Sequence, residues 1–170
     1  QIFIGDFNGD KIPDILVDAA SGGSGGTYFD SILSFANGKP SVLLDQEKLS
    51  SGAQFEGKYK DGFKASVKSL DLDKSVELDI SNNKKDYLIN GIYDMNGKLL
   101  TEVEVYADGY GLLKPIDRDN DGVYELEGYQ RLWGFYHLDI ISHAHTVWKY
   151  QDGSWKLKLL ELSTPLLNEY

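Results

Sequence analysis

The sequence has no cysteine in its 170 residues, and it has only three histidines and one methionine. The missing cysteines exclude disulfide bonds and thiol catalysis. Because no run of about 18 consecutive apolar residues is present, the sequence predicts no transmembrane helix. Basic residues are in deficit, with 17 lysines and arginines against 27 acidic residues and a net charge of −10. A chain without a basic patch is a poor partner for a phosphate backbone, so we expect no nucleic-acid binding.

The rest of the composition is that of an ordinary globular protein. Hydrophobic residues make up 41% of the chain and charged residues 26%, values typical of folded domains. The chain is long enough for one domain with a sizeable core. Gln1 stands directly before the first acidic motif without a signal-peptide pattern. We therefore expect a mature or trimmed secreted chain whose export signal is absent from this sequence.

A short pattern of acidic and amide residues occurs twice. The first copy, loop 1, is Asp6-Phe-Asn-Gly-Asp-Lys-Ile-Pro-Asp14, and the second, loop 2, is Asp117-Arg-Asp-Asn-Asp-Gly-Val-Tyr-Glu125. In both copies oxygen-bearing side chains stand at positions 1, 3, 5 and 9, and an apolar residue stands at position 7. The repeated spacing indicates one chemistry at both places.

That spacing matches the ligands that Ca²⁺ requires. The ion takes about six to eight oxygen ligands at roughly 2.3–2.6 Å, which a short acidic loop supplies from alternate side chains and one backbone carbonyl. Clustered carboxylates repel one another unless a cation lies between them. An EF-hand would carry its glutamate at position 12 between helices, whereas here the ninth residue is acidic and a strand-like run follows. We therefore predict two Ca²⁺ sites in short loops that lead into strands.

At these residues a family resemblance becomes visible. Loop 1 with its flanks, Gly5-Asp-Phe-Asn-Gly-Asp-Lys-Ile-Pro-Asp-Ile-Leu-Val17, resembles the calcium loop of FG-GAP and VCBS-type repeats. Loop 2 resembles a divergent copy, with glutamate at position 9, no Pro-Asp pair, and Asp-Gly in place of Gly-Asp. The resemblance implies an extracellular, calcium-stabilised β-protein, and the chain also resembles secreted proteins or lipoproteins of Gram-positive bacteria. The implied ligands are Asp6, Asn8, Asp10, Ile12 (carbonyl), Asp14, Asp117, Asp119, Asp121, Val123 (carbonyl) and Glu125.

An alternative interpretation of each loop needs no metal. Aspartate, asparagine and glycine are common in turns because their side chains accept hydrogen bonds from the local backbone. One acidic turn is easily explained in this way. The repetition of the 1-3-5-9 spacing is what favours metal ligation.

The sequence predicts a mostly β fold, either a compact β-sandwich or an open, propeller-like set of antiparallel sheets. A complete propeller needs at least four blades of four strands, more than this length holds. We expect a single domain, residues 1–170, with two loop–strand–hairpin units at about 6–50 and 117–162 and a β-unit at about 55–113 between them.

Local patterns place the individual elements. Asn37-Gly38 and Asn96-Gly97 are typical of hairpin turns. The predicted helices are limited to residues 45–51, with a loop as the alternative, and 164–170, and a Gly/Ser tract at 21–26 is predicted as a mobile surface loop. The predicted strands are 2–4, 15–17, 28–35, 41–44, 63–70, 75–80, 87–92, 99–106, 124–133, 135–141, 146–150 and 155–162.

Other residues suggest weaker hypotheses. His143 and His145 would share one face of a strand near His137, as in a zinc site, but exposed or hydrogen-bonded histidines on a strand edge explain them more simply. Trp133, Tyr136, Trp148 and Trp155 would stack on sugars or contact a protein partner, whereas core packing is the simpler explanation. No nucleophile elbow, HExxH or nucleotide loop is present.

We conclude from the sequence that the chain is a secreted or surface-attached protein that binds two structural Ca²⁺ ions. Its expected role is binding or adhesion to a protein or glycan at the cell surface, without catalysis. A glycan-binding module or a glycan-active hydrolase is the alternative, because two carboxylates outside the loops can meet in a fold. Millimolar extracellular calcium suits modules with dissociation constants of about 10⁻⁴–10⁻³ M.

Overall fold

The computed structural model describes residues 1–20, 28–44 and 51–165. The Gly/Ser tract at 21–26 and most of the two predicted helices, 45–50 and 166–170, lie outside the described residues. The fold is mostly β, as predicted, and its strands pair in antiparallel sheets. The strands are β1 (Ile2–Gly5), β2 (Asp14–Ala20), β3 (Tyr28–Ser34), β4 (Ser41–Leu44), β5 (Phe55–Lys60), β6 (Lys64–Ser69), β7 (Lys74–Asp79), β8 (Tyr106–Ala107), β9 (Leu112–Ile116), β10 (Glu125–Trp133), β11 (Ile140–Gln151) and β12 (Ser154–Ser163).

The strands form three sheets. One has the order β1-β2-β3-β4, and a second is the three-stranded meander β5-β6-β7. The third has the order β12-β11-β10-β8, and β9 also pairs with β10. Loop 1 connects β1 to β2 and loop 2 connects β9 to β10, so each loop joins two paired antiparallel strands.

The chain divides into two compact units. The first contains residues 1–52, 109–130 and 145–161, and the second contains residues 53–108, 131–144 and 162–170. Both acidic loops belong to the first unit. The core of this unit includes the buried residues Phe7, Leu16, Ile32, Leu44, Tyr110, Leu113 and Leu126.

The second unit packs around tyrosines. Tyr59, Tyr87 and Tyr93 are almost fully buried, and their rings contact one another with centroids 5.5–6.3 Å apart. The carboxylate of buried Asp139 accepts hydrogen bonds from the Tyr59 and Tyr87 hydroxyls at 2.5 and 2.7 Å. Burial is the largest cause that raises the pKa of Tyr59 and Tyr87 above the usual value, and the Asp139 charge acts in the same direction. Both hydroxyls therefore stay protonated and serve as donors.

One predicted strand is a helix. Residues 87–92 were expected to be extended, but Lys84–Ile89 forms a short helix, α1, after a 3-10 turn at Ser81–Asn83. Gly91 ends this helix with φ +68° and donates its N–H to the Leu88 carbonyl at 3.3 Å. A glycine in this conformation just past the last turn is a common helix stop. The Asn90-Gly91 pair therefore marks a helix end, and the strand prediction was wrong.

Two further strand predictions were too long. The segment predicted at 135–141 turns until β11 begins at Ile140, and the Asp139 carboxylate accepts the Phe135 N–H at 3.0 Å within that turn. The segment predicted at 99–106 has two isolated bridges, Leu99 with Tyr93 and Glu104 with Lys58, before the two-residue β8. Both predicted Asn-Gly turns are confirmed, since antiparallel pairing closes across Gly38 and Gly97, which have φ of +69° and +81°.

Candidate metal centre

The two acidic loops have the same backbone frame. In each, position 9 is the first residue of the returning strand and pairs with the residue just before position 1. These pairs are Gly5 with Asp14 and Ile116 with Glu125. The loops are therefore equivalent hairpin connections, and their residues correspond position by position without a gap.

The left-handed backbone positions also correspond. Loop 1 has positive φ at Gly9 (+79°) and Lys11 (+68°), and loop 2 has it at Asn120 (+58°) and Gly122 (+85°). These are positions 4 and 6 in both loops. Glycine and asparagine adopt this conformation at low cost. The different order of glycine and aspartate in loop 2 therefore leaves the acidic position 5 unchanged and only moves the glycine from position 4 to position 6.

Hydrogen bonds inside the loops repeat as well. The position 5 carboxylate accepts the position 7 N–H at 2.7 Å, from Ile12 to Asp10 in loop 1 and from Val123 to Asp121 in loop 2. The position 1 carboxylates also accept N–H groups from within their own loops.

The carboxylate at position 9 forms a hydrogen bond with the backbone near the start of its own loop. It accepts the position 2 N–H, from Phe7 to Asp14 at 2.9 Å and from Arg118 to Glu125 at 3.1 Å. A carboxylate has about four lone-pair sites. These backbone contacts hold the side chains in place and leave lone pairs for a cation.

In loop 2 three carboxylates converge. Oxygens of Asp117, Asp119 and Asp121 all lie within 4.8 Å of one another. The Lys149 ammonium on β11 lies against this group, 2.7 Å from Glu125 Oε1, 3.1 Å from Asp121 Oδ2 and 3.3 Å from Asp119 Oδ2. The hydrogen bond to Glu125 is the main cause that raises the pKa of Lys149 above its usual value. A positive charge thus already lies among the predicted ligands of loop 2.

Loop 1 has a buried carboxylate without such a cation. Asp14 is fully buried, and its Oδ1 has no hydrogen-bond partner among the described residues. Burial raises the pKa of Asp14, while the Phe7 N–H and the Ser34 hydroxyl lower it and the charges of Asp10 and Asp6 raise it. In the part of the chain that the structure describes, no lysine or arginine pairs with the loop 1 carboxylates. A buried anionic oxygen without a partner is costly, and a bound cation would satisfy it.

The two loops lie side by side. Asp6 and Val123 form a parallel bridge, and the Tyr124 N–H donates to the Asp6 carbonyl at 2.7 Å. Phe3 contacts the Tyr124 ring edge to face with centroids 4.8 Å apart. A Cβ on Gly5 would come within 3.0 Å of both rings, so this close approach requires glycine. Of the two residues predicted to contribute carbonyls, Val123 lies in this bridge and Ile12 has an exposed side chain.

Two of the three histidines of the zinc hypothesis, His137 and His145, have other partners, and His143 is exposed. His145 places its two ring nitrogens 2.9 Å from Glu127 and 3.0 Å from Glu161. His137 lies 3.0 Å from Asp108, which also forms an ion pair with Arg131. Among the described residues, the side chains that converge as metal ligands are the loop 2 aspartates alone. These contacts agree with the hydrogen-bonding interpretation of the histidines.

The aromatic residues divide between core and surface. Trp148 and Trp155 are partly buried against the core of the first unit, and their indole N–H groups donate to the Tyr110 hydroxyl at 2.6 Å and to the Leu43 carbonyl at 3.0 Å. These two tryptophans are structural. In the second unit, Trp133 stacks on Tyr106 with centroids 4.7 Å apart, and Tyr136 is exposed.

Two sets of side-chain contacts, one in each unit, were missed in the sequence analysis. Lys149 is separated from its loop 2 partners by 24 or more positions, and no motif marks it. The buried Asp139 is likewise surrounded by partners from distant segments. These contacts form only when segments distant in the sequence come together, so no local signal could reveal them.

The fold defines a class, that of mostly β proteins with antiparallel sheets. Of its two equivalent hairpin loops, loop 2 brings three aspartates together. The sequence also has known relatives. A family model described as the YybI C-terminal domain matches residues 53–163. Because that match covers more than half of the chain, the chain belongs to the YybI C-terminal domain family. Loop 2 lies inside the matched segment, and loop 1 precedes it.

One curated relative extends the similarity to most of the chain. It is described as an uncharacterized protein YybI of Bacillus subtilis (strain 168), and it is 34% identical over 150 residues. The aligned region covers 88% of this chain and 57% of the relative. The chain thus spans a little over half the length of that relative. No solved structure matches the chain.

Proposed function

We propose that the chain is a calcium-binding β-module in which loop 1 and loop 2 each hold one structural Ca²⁺. The observation that carries the proposal is the buried, unpartnered Asp14 Oδ1 in a loop that already contains Asp6 and Asp10. The equivalence of the two loops in register, φ angles and internal hydrogen bonds supports one shared chemistry. The resemblance to FG-GAP and VCBS-type calcium loops points the same way.

The donor set fits calcium better than softer metals. Every candidate side-chain donor is a carboxylate or an amide oxygen, which are the ligands of hard cations. In loop 1 the donors would be Asp6, Asn8, Asp10 and Asp14, with the Ile12 carbonyl. In loop 2 they would be Asp117, Asp119, Asp121 and Glu125, with the Val123 carbonyl. The bound ion would supply positive charge, and the residues themselves would orient the oxygens and close the hairpins.

The role assigned to the metal is structural. Position 9 of each loop begins a strand, and Phe7 at position 2 of loop 1 lies in the core. A cation that reduces repulsion among the carboxylates would therefore stabilise both the hairpin and the core residues attached to it.

The wider proposal concerns location and partners. We infer that the module acts outside the cell or at its surface, where calcium is millimolar, and that it binds a protein or glycan there without a catalytic step. The described helices are too short and too polar to cross a membrane. The proposal includes the finer architecture, a β-sandwich or an open, propeller-like set of antiparallel sheets.

A glycan-binding role is the second candidate, and a specific observation favours it. Exposed aromatic side chains, Tyr106, Phe135 and Tyr136, lie in the second unit, and such rings stack on sugars. For a hydrolase, Glu127 and Glu161 in the first unit are carboxylates outside the loops, but both are bound to His145. We therefore assign no reaction to them.

Thermal melting with and without calcium tests the proposal. With dissociation constants of about 10⁻⁴–10⁻³ M, about 10 mM CaCl₂ should stabilise the chain by roughly 1.4–2.7 kcal/mol per site. For a chain of this length that corresponds to a Tm increase of about 3–10 °C per site over the value in EGTA. Magnesium at the same concentration should give a smaller shift, because it prefers a tighter octahedral shell.

A matched pair of variants separates ligation from turn chemistry. Asp10→Asn keeps the hydrogen bond from the Ile12 N–H but removes a charged ligand, so it should reduce the calcium-induced Tm shift and change the EGTA melt little. Asp94→Asn is the control, since Asp94 accepts N–H groups in the hairpin at Asn96 and Lys98 where no metal is proposed. Equal Tm values of the wild-type chain in EGTA and calcium would overturn the proposal.

A further inference from the structure

The Lys149 side chain lies where a cation of loop 2 would lie. Its Nζ is within 3.3 Å of oxygens from Asp119, Asp121 and Glu125, three of the four side chains proposed as calcium ligands. A Ca²⁺ ion would require these oxygens at about 2.3–2.6 Å from its own centre. An ammonium and a calcium ion that use the same oxygens of these three side chains cannot both be bound there.

The strand directs Lys149 into this position. Lys149 belongs to β11, and its side chain is about three-quarters buried, with 24% exposed. Val147 and Leu159 line the same surface cleft of about 500 Å³, together with Arg118 and Lys158. The methylene groups of such a lysine pack against apolar side chains, and its ammonium reaches the carboxylates. The side chain therefore loses little further conformational freedom when the ion pairs form. In the ion-free chain, Lys149 is therefore held against the loop 2 carboxylates.

Loop 1 lacks this arrangement. Within the described ranges 1–20, 28–44 and 51–165, no lysine or arginine forms an ion pair with Asp6, Asp10 or Asp14. Lys11 occupies position 6 of loop 1 but is exposed, and the Asp14 Oδ1 remains without a partner. The two loops share a backbone frame, and among the described residues only loop 2 has an internal cation.

We propose that Lys149 is a built-in competitor for the metal of loop 2, so that the two loops fill with calcium unequally. In the ion-free chain the Lys149 ammonium reduces repulsion among the loop 2 carboxylates. Calcium enters loop 2 only when this ammonium leaves, whereas loop 1 binds calcium without displacing any group. Loop 1 therefore fills at lower calcium concentration, and loop 2 responds at higher concentration. This inference rests on the proposed calcium function.

The competition has a physical signature that a general charge effect lacks. Removing any lysine near loop 2 makes the site more negative and raises calcium affinity slightly, and salt screens this long-range effect with a Debye length of about 10 Å at 0.1 M. Removing Lys149 also frees the three shared oxygens. A larger effect at Lys149 than at a neighbouring lysine therefore identifies direct competition.

Calcium titration calorimetry on three chains tests the inference. These three chains are the wild type, Lys149→Met and Lys158→Met. A fourth chain, Asp119→Asn, identifies loop 2 by the calcium site that it loses. Methionine keeps an unbranched apolar side chain at each position. Lys158 lines the same cleft, but its ammonium bonds to Gln151 at 2.8 Å, so Lys158→Met is matched in charge and place.

We expect Lys149→Met to tighten calcium binding at loop 2 at least tenfold and Lys158→Met to tighten it less than about threefold. Loop 1 affinity should stay close to that of the wild type in both. In EGTA, Lys149→Met should melt at a lower temperature than the wild type because the loop 2 carboxylates lose their counter-charge, and calcium should restore its Tm.

The outcomes are distinguishable. If the wild type binds calcium and Lys149→Met leaves loop 2 affinity unchanged, or changes it no more than Lys158→Met does, the competition is overturned and the calcium function stands. If neither loop binds calcium in the wild type or in Lys149→Met, the proposed function itself fails. If Lys149→Met does not fold in EGTA, the same titration is made with Lys149→Arg. Because arginine has a longer and bulkier head group, this variant should change the calcium affinity of loop 2 and leave that of loop 1 unchanged. An unchanged calcium affinity at loop 2 would overturn the competition.

Discussion

Asp14 and Glu125 occupy the same position of two equivalent loops, yet their surroundings differ. Both are buried, and both accept the position 2 N–H of their own loop. Glu125 also contacts the Lys149 ammonium at 2.7 Å, whereas Asp14 has an oxygen without a partner. Leaving a buried polar atom unpaired costs about 1–3 kcal/mol. The position 9 carboxylate is therefore where loop 1 has most to gain from a cation, whereas in loop 2 this carboxylate already contacts one.

Asp18 and Asp30 form a second place where like charges meet. They are directly opposite each other on β2 and β3. Burial, followed by the charge of Asp18, raises the pKa of Asp30 from 3.8 to about 6. A folded-state pKa above the unfolded value contributes stability that is fully present below the unfolded pKa and is lost as the pH rises through the folded pKa.

We therefore predict that this pair makes the chain more stable at pH 5 than at pH 7.5. Protonation of Asp30 should add about 1 kcal/mol to the free energy of unfolding, after a discount for its partial exposure. Urea denaturation in EGTA at the two pH values measures the change. Asp30→Asn should remove about that much of the pH dependence, and Asp71→Asn, at an exposed carboxylate, should leave it in place. An unchanged pH dependence in Asp30→Asn would rule out this role for the pair.

At the scale of elements, the acidic hairpins and the Asn-Gly turns were predictable and the helix was not. Turn residues act within a few positions, so Gly38 and Gly97 mark their turns in the sequence itself. Helix α1 has six residues and no side-chain cap at its start, which is too short for a clear 3.6-residue periodicity. The apolar residues Tyr87, Leu88 and Ile89 favoured a strand on composition, and tertiary packing of Tyr87 decided otherwise.

The backbone frame of loop 2 gives a prediction at this scale. Gly122 has φ +85° and no atom within 4 Å of an added Cβ, so Gly122→Ala introduces backbone strain without a clash. We expect it to lower the free energy of unfolding by about 1–2 kcal/mol.

The control for this change is Asn120→Gly. Asn120 has φ +58° in the same loop, and glycine adopts that conformation freely, so the free energy of unfolding should change by less than about 0.5 kcal/mol. Urea denaturation in EGTA compares the two variants without metal. Similar losses in both would mean that φ at positions 4 and 6 does not control the loop.

At the scale of the whole chain, the first unit contains both acidic loops, and with them seven carboxylates of a chain whose net charge is −10. The candidate ligands within each loop could be predicted because they lie in nine consecutive residues. The contact from Lys149 to loop 2 could not, because it depends on the pairing of distant strands. The same holds for the Asp6–Val123 bridge, which brings the two loops side by side.

The family match also separates the loops at this scale. It covers residues 53–163 and so includes loop 2 and Lys149, whereas loop 1 precedes it. The loop with the internal cation is thus the one inside the family domain. Because the two loops differ in both respects, calcium occupancy should be measured for each loop separately.

A crystal structure of the chain grown with ample CaCl₂ tests the central claim most directly. We predict calcium density in loop 1, with Asp6, Asn8, Asp10 and Asp14 oxygens about 2.3–2.6 Å from the ion. We also predict density in loop 2 with the Lys149 ammonium moved away from Glu125. Loops without an ion, with Asp14 Oδ1 still unpartnered and the other carboxylates turned to solvent, would contradict the account.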